Sequence, residues 1–263
     1  MPGDWRLLIH GAGTGAWNMG VDEALLASAR QGRATLRLYR WEGPWLSLGY
    51  GQTLAETRRA ACAAAGVGLV QRMTGGLAVL HGSDLTYTVA APEGMLPPGL
   101  RASYCLVADA LCAAFAALGV SLEREPACAP GTGPSGRRRG FDCFAVPAPD
   151  ELLAGGRKLA GSAQRRAGGA VLQHGSIRVS PDPEPAARAA GLDPSRATSL
   201  RELGASDELE AVVAAVVGGF EEALGVSPEP DTLSSAEHRA ALERGAHPTP
   251  PRIGPSDSIV RPS

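Results

Sequence analysis

The chain has 263 residues, 44% hydrophobic and 20% charged, with a formal net charge of −2. That length can bury a sizeable core, and the near-neutral balance calls for neither nucleic acid nor an anionic membrane as partner. No apolar run reaches the roughly 18 residues of a membrane span, and Met1-Pro2-Gly3-Asp4-Trp5 does not open a basic-then-apolar signal, so the expected compartment is the cytoplasm.

In chain order, residues 5–10 and 34–50 read as strands, the second broken by the turn pair Gly43-Pro44. Between them a helix is expected over 18–29, with Asn18 as N-cap and Asp22 and Glu23 in its first turns. Residues 54–65 predict a helix, then come a strand to Met73, a Thr74-Gly75-Gly76 turn, and strands at 77–81 and 84–90. A helix opening near Ser103 spans 102–118 and is apolar on one side. Residues 125–140 form a Pro- and Gly-rich loop ending in Arg137-Arg138-Arg139, a run that reads as a solvated segment or a partner-binding patch. Strands at 141–146, 151–154, 158–164 and 170–179 follow, then a helix over 207–225. Strands in consecutive groups with few helices between them point to an α+β fold. The expected division is a core over 1–180, a linker and C-terminal helix packed on the core over 181–226, and a Pro-rich disordered tail over 227–263. Pro181, Pro183, Pro185 and Pro194 mark the first boundary.

The cysteines are Cys62, Cys105, Cys112, Cys128 and Cys143, an odd number with neither paired nor zinc-type spacing. This argues against a disulfide framework or a structural metal. Cys62, Cys105 and Cys112 read as small core hydrophobes, and Cys128 falls in the loop. Lys158 is the single lysine beside 24 arginines. An ammonium is a compact charge where guanidinium is broad and planar, so a site that keeps lysine in such a chain needs that compactness. Period-two alternation predicts Lys158, Ala160, Ser162 and Gln164 on one strand face, and Leu159, Gly161 and Ala163 on the other.

Cys143 lies fifteen residues before Lys158. A thiol attacks as thiolate, which a nearby cation favours, so a Cys–Lys pair suits attack on a thioester. Between Phe141 and Phe144 the same residue reads equally well as a buried core cysteine. Two further segments carry possible chemistry. In Arg72-Met73-Thr74-Gly75-Gly76-Leu77-Ala78-Val79-Leu80-His81, adjacent glycines let backbone N–H groups approach a ligand, although Gly-Gly is also an ordinary hairpin turn. Gln173-His174-Gly175-Ser176 closes a later strand, where His174 serves either structure or ligand.

Taken jointly, these segments resemble a known family. Asn18-Met19-x-x-Asp22-Glu23-Ala24-Leu25, Ser47-x-Gly49-x-x-Gln52, Arg72-x-x-Gly75-Gly76-x-Ala78-Val79-x-His81 and Gly156-Arg157-Lys158-Leu159-Ala160-Gly161-Ser162-Ala163-Gln164 resemble the lipoate/biotin protein ligase superfamily. Cys143-Phe144-x-x-Pro147 ahead of Glu151, with Leu172-Gln173-His174-Gly175-Ser176-Ile177, is similar more narrowly to the LipM-type octanoyltransferases. The resemblance covers about residues 5–180. It implies an α+β domain with a mostly antiparallel sheet flanked by helices. It also implies transfer of an octanoyl group from octanoyl-acyl carrier protein to a lysine of a lipoyl-accepting domain, such as glycine cleavage H protein or a 2-oxoacid dehydrogenase E2 domain. Cys143 would hold the acyl group and Lys158 would stabilise thiolate and carbonyl oxygen. Arg72, Gly75, Gly76 and His81 would line the acyl pocket, completed by Gly161, His174 and Gly175. That chemistry requires no metal, nucleotide or redox cofactor.

The chain departs from the pattern in one stretch. Relatives commonly show Arg-Arg before the glycines, Arg after them and Asp after the histidine, where this sequence has Gln71-Arg72, Leu77 and His81-Gly82. Three rival activities share the motifs. An ATP-dependent lipoate–protein ligase uses the lysine without needing the cysteine. A carrier-to-carrier amidotransferase uses the same Cys–Lys pair. A binding protein would have kept the fold and lost turnover. A biotin ligase is disfavoured by the lack of a basic Gly-Arg-Gly-Arg-type loop.

Overall fold

Leu36 and Leu38 face one side of their strand and Arg37 faces the other, and this period-two division organises the molecule. The computed structural model describes residues 4–124, 141–143, 152–246 and 252–254. The expectations for 125–140, for 144–151 and for 255–263, with Cys128, Arg137–Arg139, Pro147 and Glu151, lie outside the described residues.

The elements run β1 (Trp5–Gly13), α1 (Gly15–Ala29), β2 (Ala34–Trp41), β3 (Trp45–Leu48), β4 (Thr53–Leu54), α2 (Glu56–Ala64), β5 (Gly68–Gln71), β6 (Val79–His81), β7 (Asp84–Pro92), α3 (Leu100–Ala117) and β8 (Glu123–Arg124). Then follow β9 (Leu152–Ala154), β10 (Arg157–Ala167), β11 (Ala170–Arg178), α4 (Glu184–Ala190), α5 (Leu209–Leu224), β12 (Glu229–Pro230), α6 (Ser235–Ala246) and β13 (Arg252–Ile253). The main sheet has the order β12-β1-β2-β7-β11-β10-β9-β8. Pairing is antiparallel from β2 to β8, with β12, β1 and β2 parallel at one edge. A second sheet, β5-β3-β6, packs with α2 and α4 around Leu46, Leu48, Cys62 and Leu80. This is the α+β architecture, mostly antiparallel and flanked by helices, that the grouped strands imply.

One face of the main sheet carries the principal core. Leu36, Leu38, Leu85, Tyr87, Val89, Val171 and Ile177 pack there against Val107, Leu111 and Phe115 of α3 and Val212, Val216 and Phe220 of α5. By length and composition α3 could cross a membrane, but its buried residues belong to this core. The opposite face packs Leu8, Ala90 and Leu172 against Val21 and Leu25 of α1. The same face, beside the second sheet, holds polar residues in register, with Arg37, Thr88 and His174 side by side across β2, β7 and β11 and the small Ala163 of β10 next to His174.

Four expectations are corrected. The N-cap of α1 is Thr14, whose hydroxyl accepts from the Trp17 N–H at 3.2 Å, and Asn18 lies a turn inside, fully buried. Residues 181–197 are no linker: Ala186, Ala187 and Ala190 of α4 are buried in the second core, because Pro183 and Pro185 stand at a helix start, where a missing N–H does no harm. The expected disordered tail contains α6, which lies on α1. Gly20 makes that approach possible, since a Cβ there would stand 2.4 Å from the Ala241 carbonyl oxygen. Buried Arg6 pairs with buried Glu237 at the start of this helix. Finally, Cys105, expected as a core hydrophobe, is disulfide-bonded; it lies on a half-buried side of α3 rather than within the core.

Candidate active site

Cys143 and Lys158 meet. Lys158 is 2% exposed, and its Nζ donates to the Cys143 carbonyl oxygen at 2.9 Å and lies 3.2 Å from Cys143 Sγ. The cysteine is fixed by its own backbone: Cys143 N donates to Ala78 O at 2.9 Å, and Ala78 N to Phe141 O at 2.8 Å. Leu77, Val79 and Ala197 surround it.

Strict alternation would have sent the lysine away from Gly161. A bulge prevents this. In the β9–β10 pairing Lys158 lies opposite Leu153 and Ala160 opposite Leu152, so Leu159 is an extra residue. Leu159 and Ala160 both enter the principal core, while Lys158 shares a face with Gly161. A Cβ on Gly161 would lie 3.1 Å from Lys158 Cε, 3.2 Å from Nζ and 3.4 Å from Cys143 Sγ, so the hydrogen there keeps the pair in contact.

Arg72 shapes the glycine turn. Its guanidinium donates to Ser47 O and Oγ at 3.0 and 3.2 Å, to Gly75 O at 2.9 Å and to Leu77 O at 2.7 Å. Burial pulls this arginine below its ordinary pKa, and negative charge on Cys143 opposes that pull. Gly76 has φ +87°, open to glycine, and its carbonyl oxygen would be 2.1 Å from any Cβ on Gly49. Gln71 fills the place of the expected arginine by donating to the carbonyls of Gly49, Tyr50 and Gln52. Gln52 in turn donates to Phe141 O at 3.0 Å, tying the turn to the cysteine segment.

Two histidines are held by carboxylates. His81 stacks on Trp41 at 4.0 Å, with Nδ1 2.7 Å from Asp84 Oδ2 and Nε2 2.8 Å from Ser47 Oγ. Asp84 thus supplies the acid absent at Gly82. Burial raises its pKa, but His81 and the donors Ser176 and Gly82 N–H outweigh burial and leave it below the usual carboxylate value. His174 has Nδ1 2.9 Å from Asp22 Oδ2 and Nε2 2.7 Å from Thr74 Oγ1. Burial lowers its pKa against the pull of Asp22. Arg37, also fully buried, pairs with Asp22 at 2.8 Å and donates to Asn18 Oδ1 at 2.8 Å.

Between these groups lies a narrow pocket with a cavity volume of about 30 Å³. Of the sequence-expected residues, Cys143, Arg72, Gly76, His81, Gly161, His174 and Gly175 line it. Gly75 does not, because its carbonyl is drawn to Arg72 on the far side of the turn. Met19, Tyr39, Trp41 and Val79 make the remaining wall mostly apolar. The slot reaches the Cys143 thiol, Lys158 lies behind that sulfur and does not line it, and an aliphatic chain with its carbonyl at the sulfur would enter by widening this apolar wall.

Comparison with known proteins places the chain in a family. Residues 14–221 match the family described as lipoyl protein ligase A/B catalytic domain. The chain belongs to this family. It is 37% identical over 255 residues to octanoyltransferase LipM of Kyrpidia tusciae, covering 90% of this chain and 93% of the relative. It is 45% identical over 189 residues to octanoyltransferase LipM of Moorella thermoacetica, covering 67% and 66%. The bipartite lipoate protein ligase of Thermoplasma acidophilum has the same fold, with TM-score 0.71 and 22% identity over 92% of that chain and 94% of this one.

Sequence reasoning missed several residues of this candidate site. Asp84, Tyr39 and Trp41 are not among the expected site residues, and Asp22, Ser47, Ser162 and Ser176 stand in the quoted motifs without an assigned role. The signal was present in β2, β7 and β11, where Arg37, Thr86, Thr88 and His174 recur at period two opposite an aliphatic face. Polar residues on the second face of strands that are buried throughout mark a polar interior.

Proposed function

We propose that this chain is an octanoyltransferase of lipoate assembly that works through a thioester on Cys143. The observation that carries the reading is the 3.2 Å approach of Lys158 Nζ to Cys143 Sγ beside an apolar pocket, in a chain whose relatives are named octanoyltransferase LipM. The sulfur of Cys143 attacks the carbonyl carbon of an octanoyl thioester on acyl carrier protein. The carbon–sulfur bond to the carrier breaks, the carrier thiol leaves with a proton, and the octanoyl group stays on Cys143. The neutral ε-amine of a lysine on a lipoyl-accepting domain then attacks the same carbonyl. An amide forms, the amine loses a proton and Cys143 is released. In both steps negative charge gathers on the sulfur and on the carbonyl oxygen, and the Lys158 ammonium lies where that charge develops. The apolar wall holds the chain while Gly161 leaves room at the sulfur.

Intact-protein mass spectrometry after mixing with octanoyl-acyl carrier protein, without ATP, tests this. An octanoyl adduct on the wild type, absent from Cys143→Ala and released by hydroxylamine, is the expected result. No adduct, together with acceptor modification from octanoate or lipoate plus ATP, overturns it in favour of a ligase. Silence in both assays overturns it in favour of a binding protein.

A further inference from the structure

Across Arg72 from the acyl pocket runs a second groove, and Arg72 lines both. Its rim carries Arg30 at the end of α1, Arg165 on β10 and Arg244 on α6, all exposed. Among the described residues the one carboxylate lining it is Glu23, 3.2 Å from Arg244. In a chain of formal net charge −2, three arginines against one acid make this groove a local reversal of sign.

The arginines are oriented. Arg165 donates through one nitrogen to Met73 O at 2.9 Å, and its guanidinium stands 5.8 Å from the ring centre of Tyr50, itself 44% exposed. Arg30 donates through Nε to Ala167 O at 3.2 Å. Each anchor uses one nitrogen of a group with five N–H donors, so the planar forks are set in place with donors still turned outward. Forked guanidinium donors match phosphate oxygens.

We propose that this groove binds the phosphodiester of the phosphopantetheine arm by which an acyl carrier presents its thioester. The inference rests on the thioester reading above and adds the subsite that selects the donor. A carrier delivers its acyl group on a long arm with a single phosphate remote from the sulfur. The groove offers the matching charge on the far side of Arg72 from Cys143.

The test compares octanoyl-phosphopantetheine with octanoyl-pantetheine, which differ only by the phosphate, as donors to the full chain. Acylation of Cys143 is followed by mass in single turnover. The wild type is expected to favour the phosphorylated donor by about tenfold or more in kcat/KM, the scale of one charge-assisted contact. Arg244→Gln and Arg165→Gln, singly and together, are expected to erase that preference and leave the rate with octanoyl-pantetheine unchanged. Because Arg165 also anchors Met73, Arg244→Gln, which leaves that bond in place, must show the effect on its own. Equal rates for both donors in the wild type, or an equal loss for both in the variants, overturns the subsite. Loss confined to the intact carrier protein overturns it as well, in favour of contact with the carrier's protein surface. Failure of Cys143 to take octanoyl from any donor overturns the thioester reading first, and the groove assignment falls with it.

Discussion

Gly161→Ala replaces one hydrogen by a methyl group, and the structure says where it goes. The new Cβ would lie 3.1 Å from Lys158 Cε and 3.2 Å from its Nζ, closer than nearly all real Cβ contacts, and 3.4 Å from Cys143 Sγ. The lysine must give by a few tenths of an ångström, and it is not free to do so without loss. Its Nζ is pinned at 2.9 Å to Cys143 O and 3.2 Å to Sγ. Hydrogen bonds to charged groups contribute about 1.5–3 kcal/mol net, and stretching weakens them steeply. Forfeiting half of one costs about 1 kcal/mol in the transition state, and forfeiting it entirely about 2–3 kcal/mol. Acylation of Cys143 should therefore slow about 5- to 100-fold. Overpacking of about 1–3 kcal/mol should lower the urea midpoint without abolishing cooperative unfolding. The assay is the single-turnover rate of octanoyl transfer to Cys143, measured in the wild type, Gly161→Ala, Lys158→Met and the double variant. If the alanine acts by displacing the ammonium, it has little further effect once Lys158 is methionine. Gly161→Ala acylating at the wild-type rate, or slowing it equally in both backgrounds, would refute this account.

Three more perturbations have defined outcomes. Lys158→Met removes both Nζ contacts to Cys143 and should reduce acylation about 100-fold or more; Lys158→Arg should do the same, because the broad fork does not suit a position 2% exposed, and the mass assay reads both. Gly20→Ala places a Cβ 2.4 Å from Ala241 O, so α6 must shift; a thermal melt should show a loss of about 1–3 kcal/mol, and an unchanged melting temperature would contradict the packing of α6 on α1. Acid should destabilise the fold in a predictable window. Although burial raises the pKa of Glu237, hydrogen bonds from Arg6, Ser28 and Ser234 hold it at about 2, against an ordinary value of 4.5. Its contribution is thus complete above about pH 4.5 and lost as pH falls towards 2, about 3 kcal/mol in all, and Glu237→Gln should flatten that part of the stability–pH curve.

The strand positions and the Cys–Lys pairing are legible in the sequence for different reasons. Strands announced themselves by β-branched and aromatic runs between glycine turns, and β7 and β11 appear within two residues of their expected ends. Cys143 and Lys158 were found through residue type and a family spacing, since nothing in local propensity brings residue 143 to residue 158. What failed was local inference applied to nonlocal structure. Alternation was counted without the bulge at Leu159, which no composition rule signals, and so Lys158 was put on the wrong face. Residues after 226 were read as disordered from their prolines. Yet α6 is held by a single buried acid, Glu237, meeting an arginine 231 positions earlier, and by Gly20, whose missing side chain admits the helix. The departures Gln71, Leu77 and Gly82 looked like lost charges. In the fold Gln71 donates to three carbonyls, Leu77 packs against Cys143, and Asp84 takes up the acid's place beside His81.

These replacements bear on which chemistry the site supports. A ligase that handles an adenylate must stabilise a phosphate as well as a carbonyl. Two buried cations stand around this turn: four bonds of Arg72 go to Ser47, Gly75 and Leu77 of the turn and strand themselves, and Lys158 bonds to Cys143. Leu77 meanwhile closes an apolar wall on Cys143, with Val79 and Ala197. An apolar wall suits a neutral thioester carbonyl, whose charge appears only during reaction. On the proposed mechanism the lysine serves that transient charge. This requires it to lie within hydrogen-bond reach of the sulfur, and the bulge at Leu159 and the hydrogen at Gly161 are what let it do so.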